Sequence, residues 1–427
     1  MDLINKALES KTFCIYPWMH QYVGPQGEVK PCCLYDPNGK GIGNLKDNSL
    51  SDIWNNDTTK KMRLDMMNGV EVSGCSICNN RVGVTKVHRD EANSMWVDLA
   101  TDIVNSTLED GTVPEHKLKY IDARFNNLCN FKCRTCSPHF STSWHEDYEK
   151  MRIPNQRSEY PKRMLIPGNT EEHLLNEIMP HLKEVNRIYF AGGEPLMQIE
   201  HYKILEELIT LNRPIQKNNR LSLFYSTNFS SLNLGKHNVI DYWKKFPKVN
   251  VSASLDGSYA KAEYWRKGTD WGKIVKNREY LKKECPHVVF NINFTLSWIN
   301  AFNLLELHKE WVTLEYISVN SLNVGILDHP GMYSLKTLPN WKKKKIESAF
   351  REHLVWLKEK KASTRTTQQF IDAINFMNDT DNGDKFAHAF SFATVNNKLD
   401  KIRNENFWEV FPEHADMKEY INGFNTL

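Results

Sequence analysis

Between about residues 119 and 330, short runs in which apolar and polar residues alternate are separated by longer runs in which apolar residues recur every three or four positions. A period of two marks a half-buried strand and a period near 3.6 a helix with one apolar stripe, so this stretch predicts strands and helices in alternation. Six strands can be placed: LKYIDARF around Ile121, RIYFAGGEP around Tyr189, LSLFYSTN around Phe224, VNVSASLDG around Val251, VVFNINFTLS around Ile292 and EYISVNSLNV around Val319. Thr170 is placed to cap a helix that opens on Glu171 and Glu172 and buries Leu174, Leu175 and Ile178. A second helix, from Glu200, carries Ile204, Leu205, Leu208 and Ile209 as its buried stripe. Such alternation is the pattern of an α/β fold with parallel strands joined by crossover helices, whose reactive groups gather at the carboxyl ends of the strands.

Beyond residue 330 the pattern becomes helical throughout. Ile346, Phe350, Leu354 and Leu357 form one apolar stripe, and Phe370, Ile371, Ile374 and Met377 another. The basic run Lys342 to Lys345 reads as a solvated helix face. The chain has 427 residues with a formal net charge of +3, which suggests roughly two to three domains and no overall field favouring nucleic acid or an acidic membrane. No run approaches the ~20 apolar residues needed to cross a bilayer, and MDLINKALESKTF has no signal-peptide core. A cytoplasmic protein is expected. The short segment ahead of Cys14 is too small for a fused peptide-recognition domain.

Nine cysteines in a reducing compartment point to metal ligands or nucleophiles rather than disulfides. Cys129, Cys133 and Cys136 form C-x3-C-x2-C, three thiols on one compact loop able to grip a single metal centre. Structural zinc takes four closed ligands and ferredoxin-type clusters take four cysteines, so a three-cysteine loop implies a cluster with one iron left open. A zinc loop closed by His139 or a distant residue is the alternative. A second set comprises Cys14, Cys32, Cys75 and Cys78. Gly24 and Gly27 around Pro25 predict a tight hairpin that brings Cys14 towards Cys32, and Cys75-x2-Cys78 is a metal-grade pair for which zinc is also chemically open. Cys33 reads as a spare thiol, and Cys285 as a small buried hydrophobe. There is no phosphate-binding P-loop, H-E-x-x-H or G-x-S-x-G motif.

Taken in order, C-x3-C-x2-C after the first strand and AGGEP after the second resemble the signatures of the radical S-adenosylmethionine (SAM) enzymes. The resemblance implies a partial (β/α)6 barrel in which the cluster's open iron takes the amino and carboxylate groups of SAM. It implies that Gly192, Gly193, Glu194 and Pro195 hold the SAM amino group and that Arg266, in YWRKGTDW, pairs with its carboxylate. Ser226 and Asn228, and Ser254 and Asp256, are placed to hydrogen-bond a ribose or carboxylate, or simply to form turns; Asn293 and Val319 are candidates for a polar contact and for adenine packing. Thr135 stands where many members have an aromatic residue, a place Phe131 partly fills.

The first cysteine set, with GIGNLKDNSLSDIWNN between its members, resembles the SPASM/twitch domains that carry an auxiliary 4Fe-4S cluster, although here it precedes the barrel. In that likeness Asn48 to Asn56 is a short helix bearing Ile53 and Trp54, and Trp18 and Trp54 are core. The expected organisation is an auxiliary-cluster domain at 1–95, a linker at 96–118, the barrel at 119–330 and a helical region at 331–427. The resemblance implies an enzyme that takes an electron from a flavodoxin- or ferredoxin-type reductant, cleaves SAM and abstracts hydrogen from a peptide or protein side chain. A sugar, nucleotide or other small molecule is the alternative substrate, and a non-enzymatic zinc or iron-sulfur scaffold the alternative of another class.

Overall fold

The computed structural model describes residues 10–36, 39, 41–79, 88–152, 158–160, 163–216, 220–379 and 385–422. Most of the opening segment read for a signal peptide, and residues 380–384 and 423–427 of the C-terminal region, lie outside the described residues. Two compact units are present, one of residues 1–127, 164–224 and 245–248, the other of 128–163, 225–244 and 249–427.

The first unit holds strands β1 (His20–Val23), β2 (Glu28–Lys30), β3 (Gly43–Asn44), β4 (Tyr120–Ala123) and β5 (Arg187–Phe190), in the order β5-β4-β1-β2-β3. β4 and β5 are parallel, with Ile121 opposite Ile188. β1 joins the other side of β4, also parallel, with His20 opposite Tyr120. The N-terminal cysteine region thus extends the same sheet, through an antiparallel β1-β2-β3 meander. The expected hairpin is present. Gly27 turns it at φ +94°, and a Cβ there would stand 2.4 Å from the Pro167 carbonyl oxygen, so the close approach as well as the backbone requires glycine.

Helix Leu50–Trp54 opens on a capping box between Ser49 and Asp52 and buries Ile53 and Trp54. Trp18 is buried and its indole N–H donates to Thr107 Oγ1 at 2.8 Å. Helix His88–Asn105 crosses the boundary expected at residue 95 and buries Ala92, Trp96, Ala100 and Val104, so half of the expected linker is packed helix. The helix expected from Thr170 begins later, at His173–Ile178: Thr170 to Glu172 form a turn in which the Thr170 carbonyl accepts from His173 N–H, and Thr170 caps nothing. Leu174, Leu175 and Ile178 are buried as expected. Helix Ile199–Thr210 buries Ile204, Leu205 and Leu208 and leaves Ile209 half-buried.

Strand β6 (Ser222–Thr227) runs from the first unit into the second, which holds β7 (Val249–Ser254), β8 (Val289–Leu296) and β9 (Leu322–Ile326). β7, β8 and β9 are parallel neighbours. In β8, Phe290, Ile292, Phe294 and Leu296 are buried while Asn291, Asn293 and Thr295 are half-buried, a period-two pattern with one apolar and one polar face. The sixth strand starts at Leu322, not around Val319, because Ser318 to Ser321 make a turn closed by Ser321 N–H to the Ser318 carbonyl and by their hydroxyls at 2.8 Å. Val319 therefore lies ahead of the strand.

The C-terminal region contains helices Asn340–Glu359, Thr364–Asn378 and Lys385–Arg403. Both apolar stripes are buried except at Leu354, which is half-buried, and Ile371, which is exposed. The basic run is not uniformly solvated. Lys342 is buried, with Nζ bonded to the Glu413 carbonyl at 2.9 Å and to Asp416 Oδ1 at 2.7 Å, because the helix's first turn packs on the segment Pro412–Met417. Among the described residues no helix is long and apolar enough to cross a membrane.

His308 and His353 are both fully buried, with Nδ1 of one 3.1 Å from Nε2 of the other. Burial lowers His308 to about 4, and burial together with His308 lowers His353 to about 3. Both titrate near 6.5 when unfolded, so below that pH the unfolded chain takes up protons that the folded chain refuses, and stability falls as pH drops. Each histidine is expected to cost roughly 2 kcal/mol at pH 5 relative to pH 7. Denaturant titrations at the two pH values, with His353→Phe losing distinctly less than the parent, check this.

Candidate active site

The C-x3-C-x2-C loop follows β4 and folds into a tight coil. Cys136 N–H bonds the Cys133 carbonyl at 3.0 Å, and Cys129, Cys133 and Cys136 pack around the buried ring of Phe131. The loop backbone is fastened to residues 265–267: Lys132 N–H donates to the Lys267 carbonyl at 2.8 Å and Arg134 N–H to the Trp265 carbonyl at 2.9 Å. On the other flank, Ser143 Oγ donates to the Cys129 carbonyl at 2.7 Å, and Trp144 Nε1 to the Cys133 carbonyl at 2.6 Å. Gly268, at φ +112°, lets the loop approach, since a Cβ there would lie 2.8 Å from both the Asn130 carbonyl oxygen and the Phe131 ring. Replacing Gly268 with Val is expected to cost about 1–3 kcal/mol, read from the urea midpoint, and to reduce the iron retained after reconstitution.

Nitrogen donors aim at the sulfurs. Cys129 Sγ accepts from Phe131 N–H at 3.4 Å and from Asn228 Nδ2 at 3.8 Å, and Cys133 Sγ accepts from Arg266 Nη1 at 3.7 Å. Burial raises the Cys133 thiol although Arg266 opposes it, and burial with the neighbouring Cys133 raises Cys136 to about 12. Arg266 loses solvation on burial, yet Asp256 and then Cys133 hold it on balance further towards its charged form. Asp256 is buried and fully engaged: Oδ2 accepts from Arg266 Nε at 2.7 Å, Oδ1 from Thr295 N–H at 2.6 Å. Its carboxylate thus holds Arg266 in place beside Cys133.

Asn228 caps the end of β6. Its Nδ2 bonds Asn130 Oδ1 at 2.8 Å and its Oδ1 accepts from Ser230 N–H at 3.0 Å, while Phe229 takes a left-handed φ of +57°. Across β7, β8 and β9, Ser254, Asn293 and Asn323 fall in one register row on the half-buried polar face, with Asn323 Nδ2 3.1 Å from Asn293 Oδ1. Ser226 lies half-buried within β6.

In the first unit, Ala191 to Pro195 leave the end of β5. Gly192, at φ +112°, runs against Arg124 and the Asn126 carbonyl, where a Cβ would meet neighbours at 3.3–3.4 Å, and Gly193 N–H reaches the Asn126 carbonyl at 3.3 Å. Glu194 is buried, its Oε1 accepting from Leu196 N–H at 3.2 Å, and Pro195 opens the turn that follows.

The other cysteines share one neighbourhood in that unit. Burial, then the Cys75 and Cys78 thiols, push Cys14 up to about 12; burial and then Cys14 and Cys33 raise Cys32. Burial raises Cys75 to about 11 against the pull of Arg89. Arg89 is buried and bonds Asn79 Oδ1 at 2.6 Å as well as the Lys11 carbonyl. Cys33 is exposed. Cys285 is buried, with Sγ 3.7 Å from the Ile240 carbonyl. Among the described residues no three His, Cys, Asp or Glu side chains converge tightly enough to hold a single metal ion.

The model of the radical SAM superfamily matches residues 124–296, and that of the SPASM iron-sulfur cluster-binding domain matches residues 14–79. The chain carries a radical SAM domain. A SPASM iron-sulfur cluster-binding domain lies ahead of it in the sequence. No curated protein matches the sequence. Among solved structures, native anSMEcpe with bound AdoMet is 19% identical with a TM-score of 0.37, the match covering 57% of this chain and 62% of that one. For anSMEcpe with bound AdoMet and Cp18Cys peptide the identity is 20%, the TM-score 0.38 and the coverages 57% and 62%. TYW1 with a lysine-pyruvate adduct bound is 12% identical with a TM-score of 0.28, covering 56% of this chain and 70% of that one. The chain thus spans about three-fifths of the anSMEcpe structures it matches.

The radical SAM match contains the cysteine loop, AGGEP, the polar strand ends and Arg266. Arg89 and Asn323 escaped sequence reasoning: a helical arginine and a strand asparagine carry no local signal of what they face. The donor chemistry fits the cofactors of the two domains. Thiols that receive N–H bonds from Phe131, Asn228 and Arg266 suit sulfurs that carry charge when they bind iron, and Arg89 gives the auxiliary set a counter-charge.

Proposed function

We propose that Cys129, Cys133 and Cys136 hold a 4Fe-4S cluster with one iron open to SAM, and that the enzyme abstracts hydrogen from a peptide or protein side chain. The observation that carries this reading is one buried loop after β4 on which two of the three thiols accept N–H bonds. Held by Cys129, Cys133 and Cys136, the reduced cluster would supply the electron for reductive cleavage of SAM, and so the radical chemistry needed to remove hydrogen from an unactivated C–H bond. The chain's share is binding, orientation and exclusion of water. Phe131 keeps water from the sulfurs, Arg266 and Asn228 place charge and hydrogen bonds around them, and Asp256 fixes Arg266. Glu194 with Gly192, Gly193 and Pro195 would receive the SAM amino group, and the row Ser254, Asn293, Asn323, with Ser226, would orient ribose or substrate. The SPASM domain favours a peptide over a sugar or nucleotide.

Cys14, Cys32, Cys75 and Cys78 would fill every corner of the auxiliary cluster, with Cys32 preferred to Cys33 because its thiol lies in the field of Cys14 and Cys75. A cluster with no open corner suits accepting an electron from the substrate radical, which gives net oxidation such as dehydrogenation or cross-link formation. A flavodoxin- or ferredoxin-type reductant would supply the first electron, in the cytoplasm, where free thiols persist. Detection of 5′-deoxyadenosine after anaerobic addition of SAM and dithionite tests the reading. Cys75→Ala is expected to keep SAM cleavage while oxidised product drops to a small fraction; unchanged product, or a redox-neutral one such as an epimer, removes the acceptor role.

A further inference from the structure

The cysteine loop carries two cations, Lys132 and Arg134, that bracket Cys133, and both are tied to the distant C-terminal region. Arg134, with a fully buried side chain, donates Nη1 to Asn396 Oδ1 at 2.7 Å and Nη2 to Glu405 Oε2 at 2.6 Å and to Asp400 Oδ1, while its guanidinium lies 3.7 Å from the Tyr264 ring centroid. Asp400 also accepts from Tyr264 Oη at 2.8 Å, and Glu405 from Lys267 Nζ at 2.8 Å. Arg403, equally buried, donates Nε to Asp147 Oδ2 at 2.7 Å and Nη2 to the Lys132 carbonyl at 2.8 Å; Lys132 Nζ meets the other oxygen of Asp147 at 2.8 Å.

Buried ion pairs add little stability over an apolar packing of the same volume, and their best-attested use is to fix a register. We propose that helix Lys385–Arg403 and the turn through Glu405 form a buckle on the cluster loop: Asp400 and Glu405 through Arg134, and Arg403 through Lys132 and Asp147, hold the backbone on both sides of Cys133. Asp400, Glu405 and Arg403 are positioning residues, and retention of the cluster is coupled to docking of this helix. The coupling is reciprocal, since what the helix does for the cluster the cluster must do for the helix.

This rests on the reading of Cys129, Cys133 and Cys136 as cluster ligands. The test compares full-length reconstituted protein carrying Asp400→Asn or Glu405→Gln with the parent and with Lys345→Met, which removes a pair to Asp416 and a contact with the Trp341 ring, neither of them part of the buckle. The readout is the paramagnetic resonance signal of the dithionite-reduced cluster that shifts on adding SAM, followed during exposure to a chelator. Either buckle variant should lose that signal at least about tenfold faster, with altered g-values, while Lys345→Met matches the parent. Amide hydrogen exchange in residues 385–405 of the parent should slow when the cluster is loaded, a readout that needs no variant to fold. Equal loss rates and g-values together with unchanged exchange overturn the buckle. Absence of a SAM-responsive signal in the parent overturns instead the ligand reading on which it rests.

Discussion

Cys133→Ala is expected to reduce formation of 5′-deoxyadenosine to the level seen without enzyme, and to remove about half of the iron bound after reconstitution. Cys133 lies at the centre of the loop, bracketed by Lys132 and Arg134, with its carbonyl held by Trp144 and its sulfur facing Arg266. A cluster resting on the two remaining thiols would expose a second iron. The auxiliary set lies on other segments, so its share of the iron and its visible absorbance should persist. Iron and sulfide analysis beside product detection separates the outcomes. A Cys133→Ala protein that still makes 5′-deoxyadenosine at the parental rate would remove the catalytic role of this loop.

Asp256→Asn is expected to have the largest effect on stability of any change near the site, about 3–5 kcal/mol, because it removes one member of a buried charge pair and strands the other. The Asp256 side chain is fully buried and that of Arg266 is 15% exposed, with 2.7 Å between Nε and Oδ2. The asparagine also leaves Thr295 N–H with a weaker acceptor. Arg266 would then be left facing the thiols of Cys133 and Cys136. The double variant Asp256→Leu with Arg266→Met should recover much of the loss, since neither charge is left buried alone. Urea unfolding of the parent and the two variants measures this; a single variant within about 1 kcal/mol of the parent would mean that Arg266 finds other compensation.

The chemistry of this chain was readable where it sits in short, contiguous motifs. C-x3-C-x2-C and AGGEP are fixed by spacing, and five strands stand where alternation placed them. The sixth moved because Ser318, Asn320 and Ser321 bond one another locally and turn the chain before Leu322, a competition between side chain and backbone that an apolar pattern does not register. Thr170 failed as a cap because the chain turns through Glu172 before the helix begins at His173. Lys342 was misjudged because a run of lysines gives no hint that one of them meets Asp416 more than seventy residues later. That Asp256 meets Arg266 and Thr295 was likewise not legible, since neither lies near it in the sequence. Most hidden were the ties of Arg134 to Asn396, Asp400 and Glu405, over 260 residues apart, for which sequence periodicity has no vocabulary.

The parallel pairing of β1 with β4 has a consequence for anyone tempted to trim this protein. β4 has β5 on one side and β1 on the other, so cutting away the N-terminal cysteine region would lay bare a row of unpaired amides and carbonyls along its flank. Such a fragment would be prone to stick to its own copies. The forward module is therefore also a seam cover, and it can be silenced by point changes at its thiols far more safely than by deletion.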